Sequence, residues 1–165
     1  MPVAMPNLDQ IRELPPLLTL TIPADWQDIN GHVNVQYYLR IYDLAGEPLM
    51  RLFGIDERHF YDDKFGYFDL ENHLWYLAEM HVGDTVSAHF RFLRLRAKRF
   101  HGVMFIVNQT RGSLAAALEF VTSGADLRTR RTTQLSVTVA QSLTRLIDQH
   151  STLAWAAPVC GAIAP

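Results

Sequence analysis

Sulfur chemistry is nearly absent from this chain. Its one cysteine, Cys160, lies near the C-terminus, so an intrachain disulfide framework is impossible. A single thiol with no motif around it reads as incidental rather than catalytic. A surplus of one charge is missing too. Fifteen Lys and Arg against seventeen Asp and Glu leave a net charge of −2, which excludes the basic footprint that nucleic acid requires. No apolar run is long enough to span a bilayer, so no membrane partner is expected. The opening Met1-Pro2-Val3-Ala4-Met5-Pro6 lacks a basic, apolar secretory leader, and a soluble cytoplasmic protein is expected. The seven histidines are scattered without ligand spacing, so no metal and no prosthetic group is implied. Internal repeats and low-complexity tracts are also missing.

What is present is a chain of 165 residues, 48% hydrophobic, enough for one core. The proline-rich residues 1–16 read as a flexible arm, 17–150 as a single domain, and 151–165 as a tail. Leu17–Ile22 alternates apolar and Thr residues and stops at Pro23, predicting a strand. A polar turn follows, and then Val35, Tyr38, Leu39, Tyr42, Ala45, Leu49 and Leu52 recur at helical spacing. Pro48 lacks an N–H and its ring opposes the carbonyl of Leu44, so a kink or break is expected there. Asp56–Lys64 is a polar connection with room for a short helical turn.

From Tyr67 onward the pattern changes to alternation. Tyr67–Ala78, Thr85–Leu95, Phe100–Asn108 and Leu114–Thr122 read as successive antiparallel strands, joined by turns such as Val82-Gly83-Asp84. Apolar parity slips from Phe90 and Phe92 to Leu93 and Leu95, which predicts a β-bulge. Val137–His150 reads as a closing helix. A strand, a long helix and four strands make an α+β fold.

The chemistry concentrates in Trp26-Gln27-Asp28-Ile29-Asn30-Gly31-His32-Val33-Asn34, which runs into Gln36-Tyr37-Tyr38-Leu39. It sets a carboxylate in a tight turn just before a helix, where unpaired N–H groups and the helix dipole favour an anion. From the residues alone, Asp-x-Asn-Gly is also an ordinary turn, because Asp and Asn bond nearby backbone and Gly accepts positive φ. The whole string resembles the signature of the 4-hydroxybenzoyl-CoA thioesterase-like branch of the hotdog superfamily, Asp-x-Asn-Gly-His-x-Asn followed by Tyr-Leu. Further likeness lies in Glu71-Asn72-His73, in Gly83-Asp84-Thr85-Val86, in Ala97-Lys98-Arg99-Phe100-His101 and in Asp126–Arg131. It covers roughly Leu17 to Arg131. The Trp-x-Asp-x-Asn-Gly-His opening with Glu-x-His is similar to the subgroup linked to carnitine and betaine breakdown.

The resemblance implies a hotdog fold, a curved antiparallel β-sheet wrapped around one long central α-helix. It also implies an acyl-CoA thioesterase that acts as a homodimer or homotetramer and carries no cofactor. Asp28 matches the family's catalytic aspartate, as nucleophile or general base. Gly31 matches its glycine, and N–H groups near Gly31–Asn34 are expected to polarise the thioester oxygen. His32 has two readings, orienting acyl-CoA or packing the turn. Asn34 caps the helix or meets ligand, and Tyr37 is a candidate binding residue beside it. Glu71 and His73 share a strand face that either lines the acyl pocket or meets solvent.

The run Arg91, Arg94, Arg96, Lys98 and Arg99 either binds CoA phosphates, with Lys98 and Arg99 foremost, or protects a strand edge. Arg128, Arg130 and Arg131 carry the same two readings. Trp26, Tyr37, Tyr38, Trp75 and Tyr76 are core, or a cage for a quaternary ammonium acyl group such as betaine. Asp43 and Glu47 are rival acids within the helix. Two other functions stand beside hydrolysis. A hotdog hydratase shows Asp-x-Asn-Pro-x-His, from which this chain departs at Gly31 and in its spacing. A non-catalytic acyl-CoA-binding protein would keep the fold without turnover.

Overall fold

The computed structural model describes residues 3–163. A short helix α1 (Leu8–Arg12) precedes β1 (Pro16–Thr21), and a 3-10 turn at Ala24–Trp26 leads to the long α2 (Gln36–Leu52). Then come α3 (Glu57–Tyr61), β2 (Phe65–Tyr76), β3 (Thr85–Arg96), β4 (Arg99–Asn108), β5 (Ser113–Asp126), the two-residue β6 (Arg131–Thr132) and α4 (Val137–Ser151). The strands form one curled antiparallel sheet in the order β1-β3-β4-β5-β2, with β6 pairing β5. This is the α+β arrangement that the resemblance implies.

Helix α2 lies against the inner face because Tyr38, Ile41, Ala45 and Leu49 fall on one stripe and are buried there. They meet Phe90, Phe92, Phe100 and Phe120, inward-facing residues of β3, β4 and β5 whose rings pack edge-to-face or stacked. Phe53, at the end of α2, closes this layer against Phe92 and Phe100. The helix does not end at Pro48. Ala45 and Leu49 are buried on either side of it, so packing carries the helix through despite the missing N–H. The predicted bulge is present, as a shift in β3–β4 register between Phe92 and Arg94. Helix α4 starts at Ser136, whose hydroxyl accepts from Val139 N–H.

The two ends differ from the loose arm and tail expected of them. Asn7 and Gln10 form a reciprocal capping box that starts α1. Ile11 and Leu14 are buried against Val103, Phe105, Val107, Ala117 and Trp155. Residues from both ends thus form a second layer on the outer face of the sheet. The reason they escape sequence patterning is that each offers only one or two apolar anchors, too few for a period.

Candidate active site

After β1 the chain turns at Ala24–Trp26 and folds residues 27–33 into a tight hairpin closed by a Gln27–Val33 bridge. Asp28 N–H donates to the His32 carbonyl at 3.0 Å, and Gly31 N–H donates to the Asp28 carbonyl at 3.1 Å. Gly31 has φ +83°, a conformation that requires glycine at this tip. The hairpin is anchored by Val33 N–H to the Met80 carbonyl at 2.8 Å, Asn34 N–H to Trp26 at 2.9 Å, and His81 Nδ1 to the Gly31 carbonyl at 3.2 Å. Trp26 stacks on Tyr37 at 4.8 Å, and the Tyr37 hydroxyl donates to the Asp25 carbonyl. Tyr37 therefore braces the hairpin from behind.

Within this frame the Asp28 side chain is only 16% exposed. Oδ1 accepts Asn30 N–H at 2.8 Å, and Oδ2 accepts Asn30 Nδ2 at 3.3 Å. His32 donates from Nδ1 to the Val33 carbonyl at 3.2 Å, which sets the ring 3.7 Å from Asp28 Oδ2. Partial burial pushes the Asp28 carboxyl up, but the bonds from Asn30 and the nearness of His32 outweigh it and hold the group below the usual carboxylate range. The turn and catalytic readings of this motif are therefore compatible: the same bonds that shape the turn keep the carboxylate ionised.

Asp28, His32 and Asn34 share an open cleft of about 410 Å³ with Val35, Tyr38, Tyr76 and Glu79. Val35 already has helical dihedrals (φ −50°, ψ −35°), so Asn34 is the residue that caps α2. Its Oδ1 accepts Gln36 N–H at 3.1 Å. Of the N–H groups expected near Gly31–Asn34, three are already paired. Gly31, Val33 and Asn34 N–H groups are all spent on backbone carbonyls. The N–H groups of His32 and Val35 make no hydrogen bond among the described residues. Both His32 and Val35 line the cleft that Asp28 shares, and Val35 opens the first turn of α2.

Other candidates do not converge here. His73 lies against Trp75, whose ring belongs to the outer layer, and Glu71 shares that face. Neither lines the cleft. Lys98 lies in the β3–β4 turn and Arg99 opens β4, at the opposite end of the 12-residue β3 from Thr85, and neither lines the cleft. Arg91 is no surface charge: it is buried, donating to the carbonyls of Trp155 and His150 with its guanidinium 4.1 Å over the Trp155 ring. Asp43 pairs with Arg40 and Glu47 with Arg51 on the exposed side of α2, as solvated helix charges do. The aromatics do not make one box. Trp26 and Tyr37 stack on each other, Tyr38 and Tyr76 meet edge-to-face at 5.0 Å, and Trp75 faces outward.

Sequence reasoning missed Glu79 and His81, which reach the hairpin from the β2–β3 connection. His81 meets Gly31 across fifty positions of sequence, and no local pattern signals such a contact. It also missed Asp69 on β2, whose Oδ1 accepts from the hydroxyls of Tyr42 on α2 and Thr122 on β5. Burial, and then the Asp69 charge, push the Tyr42 hydroxyl far up, so it stays a donor. The Gly83-Asp84 turn is structural: buried Asp84 accepts from His81 N–H, Asn108 Nδ2 and Arg111 Nε. Among the described residues no three His, Cys, Asp or Glu side chains converge in metal-ligating geometry. None of the described helices is long and apolar enough to cross a membrane.

Comparison with known proteins agrees with this architecture. Residues 22–143 match the family model described as the thioesterase-like superfamily. An L-carnitine dehydrogenase/betainyl-CoA thioesterase from Ruegeria pomeroyi is 27% identical over 156 residues, which is 93% of this chain and 31% of that protein. The chain spans about a third of the length of the first such relatives it matches. A Staphylococcus aureus protein solved in complex with CoA superimposes with TM-score 0.79 at 22% identity, covering 90% of this chain and 93% of that one. A putative thioesterase from Pseudomonas putida does so with TM-score 0.76 at 26% identity, covering 98% of both.

Proposed function

The chain belongs to the thioesterase-like superfamily, and on that footing we propose that it hydrolyses acyl-CoA thioesters to a carboxylic acid and CoA. The observation that carries this reading is the pairing of an ionised, half-buried Asp28 with the open N–H of Val35 at a helix start, in one cleft. As general base, Asp28 takes a proton from water while the oxygen adds to the thioester carbonyl. The negative charge then forms on the carbonyl oxygen beside Val35 N–H. Collapse breaks the C–S bond, and the thiolate leaves with the proton that Asp28 held. As nucleophile, Asp28 would form an acyl anhydride that water then opens, giving the same products.

The cleft is open on one side, and a second copy of the chain is the occupant that fits. Among the described residues, edge strand β2 has no partner on its outer side. Phe68, Leu70, Tyr76 and Leu77 are exposed along it, with Val35 and Leu39 beside them on α2. Such an edge is protected by pairing. In the paired molecule, Lys98 and Arg99 of the second copy become the cations that meet CoA phosphates, since neither lines the cleft of its own chain.

For the acyl group we favour a small quaternary ammonium, as in the betainyl-CoA named for the Ruegeria pomeroyi relative. Tyr38 and Tyr76 give aromatic surface and Glu79 a carboxylate within the Asp28 cleft. Free-thiol release tests both levels at once. Wild type should turn over betainyl-CoA at least about tenfold faster in kcat/KM than its uncharged isostere 3,3-dimethylbutyryl-CoA, the equivalent of about 1.4 kcal/mol of cation recognition. Asp28→Asn should lose about 10²–10⁴-fold on every substrate while folding and CoA binding persist. Equal rates for the two isosteres would remove the cation reading alone. Binding without turnover in the wild type would make this an acyl-CoA-binding protein.

A further inference from the structure

Farther along α2, the helix and β2 enclose a second cavity, of about 140 Å³, with no lining residue in common with the Asp28 cleft. Asp69 stands in its wall as an exposed residue. Its Oδ1 accepts from the Tyr42 hydroxyl at 3.2 Å and from the Thr122 hydroxyl, which braces both side chains. Bracing accounts for one oxygen. Oδ2 has no hydrogen-bond partner among the described residues, and no cation pairs with this carboxylate there. The charge is left uncompensated.

Around that carboxylate the walls are aromatic and already fixed in place. Tyr42 packs on Phe90 and Phe120, and Tyr67 on Phe60, Phe65 and Phe100, so neither ring must be ordered when a ligand arrives. We propose that this cavity binds a quaternary ammonium ion, with its methyl groups against the Tyr42 and Tyr67 rings and its charge beside Asp69 Oδ2. The size is suitable, since a space of about 150 Å³ takes a benzene-sized guest. A primary ammonium suits it less well. It brings three N–H donors, of which one free carboxylate oxygen satisfies only part, whereas a quaternary ion has none to satisfy.

The approach carries the matching sign of charge. Asp43, Gly46, Met50 and Tyr67 also line a wider groove of about 630 Å³, which Glu47, Asp56 and Glu57 border as well. Asp43, Glu47 and Asp56 are paired with Arg40, Arg51 and Arg58. Glu57, like Asp69, forms no ion pair among the described residues. Carboxylates therefore remain in excess along the groove, and a cation is drawn toward the cavity.

Calorimetric titration with choline, against its uncharged isostere 3,3-dimethyl-1-butanol and its primary analogue ethanolamine, reads the proposal directly. Choline should bind saturably and at least about tenfold tighter than either analogue. Asp69→Asn keeps an oxygen for the Tyr42 and Thr122 hydroxyls but removes the charge, and should weaken choline at least about tenfold while the thermal midpoint holds. Gly46→Leu adds a side chain at the mouth, where a Cβ meets nothing within 4 Å, and should abolish binding while favouring the helix. Choline that binds no tighter than its analogues, or that binds Asp69→Asn or Gly46→Leu as it binds wild type, would overturn the site. Binding lost in Glu79→Gln and kept in Asp69→Asn would place the cation in the Asp28 cleft instead, and would overturn it too. Because none of these readouts is turnover, failure here leaves the hydrolysis reading standing.

Discussion

The two faces of the sheet are both buried, but by different physics. Inward, β3, β4 and β5 present Phe90, Phe92, Phe100, Met104, Ile106, Leu118 and Phe120 to α2, and the layer is held by apolar packing. Outward, the same strands present Ser87, His89, Arg91, His101, Glu119 and Ser123, all buried, among fewer apolar residues. That layer depends on hydrogen bonds to the chain ends. The Leu14 carbonyl accepts from His89 Nδ1 at 2.7 Å, Arg91 holds Trp155, and Phe92 N–H donates to His150 Nδ1 at 2.9 Å. An apolar face is insensitive to protons, whereas a face fastened by imidazoles is not. The candidate catalytic cleft belongs to the first face.

The comparison breaks first if the inner face is not dominant. Phe120 is fully buried and its ring touches Tyr42, Phe90, Phe92 and Phe100. Phe120→Ala should therefore cost about 3–5 kcal/mol in urea unfolding. A loss below about 1 kcal/mol would show that α2 and the sheet re-pack freely, contrary to a ladder of interlocked rings.

A middle-sized effect separates the faces by pH. Burial lowers the proton affinity of His89, and burial together with the charge of Arg91 lowers that of His150. The unfolded chain protonates these rings near pH 6.5, the folded chain only at lower pH. Between those points unfolding takes up protons, so stability is complete above about pH 6.5 and falls as pH falls through the folded values. Thermal unfolding should follow that slope before the carboxylates contribute, and limited proteolysis at pH 5.5 should release the C-terminal segment first. His150→Asn keeps an acceptor for Phe92 N–H without a titrating ring, and should flatten part of the profile. A profile already flat in wild type from pH 7 to 5 would detach the outer layer from protonation.

How much of this was legible in the chain follows the same division. The α2 stripe, the alternating strands and the slip at Phe92–Leu93 are local patterns, and periodicity exposes them. The Asp28 turn was legible because its bonds to Asn30 and Gly31 span two or three residues. The outer layer was not. Alternation at Ser87, His89 and Arg91 looks the same whether the polar side meets water or a distant segment. What covers it lies at Ile11, Leu14 and Trp155, dozens of residues away, in stretches too proline-rich or too short to carry a period. Glu71 and His73 were placed on one face correctly, but two-residue spacing cannot say which face is inward. Which N–H groups of the motif stay free was hidden for a related reason: it depends on the carbonyls of Trp26 and Met80, which no local pattern reveals.

The smallest effect tests the one place where a polar side chain on the cleft side is read as structural. Asn34 closes the first turn of α2 through its bond to Gln36 N–H, and its own carbonyl accepts Tyr37 N–H at 3.0 Å. Only the first of these is lost in Asn34→Ala, which should cost about 1 kcal/mol of stability, the usual worth of such a cap. The second keeps Val35 N–H aimed as before, so kcat should change by less than about threefold, an energy smaller than one ordinary hydrogen bond. A variant of unchanged stability that loses kcat tenfold or more would place Asn34 among the groups that meet the substrate. The free N–H at Val35 would then be only part of the anion site, and the cleft would owe its chemistry to side chains rather than to the helix start.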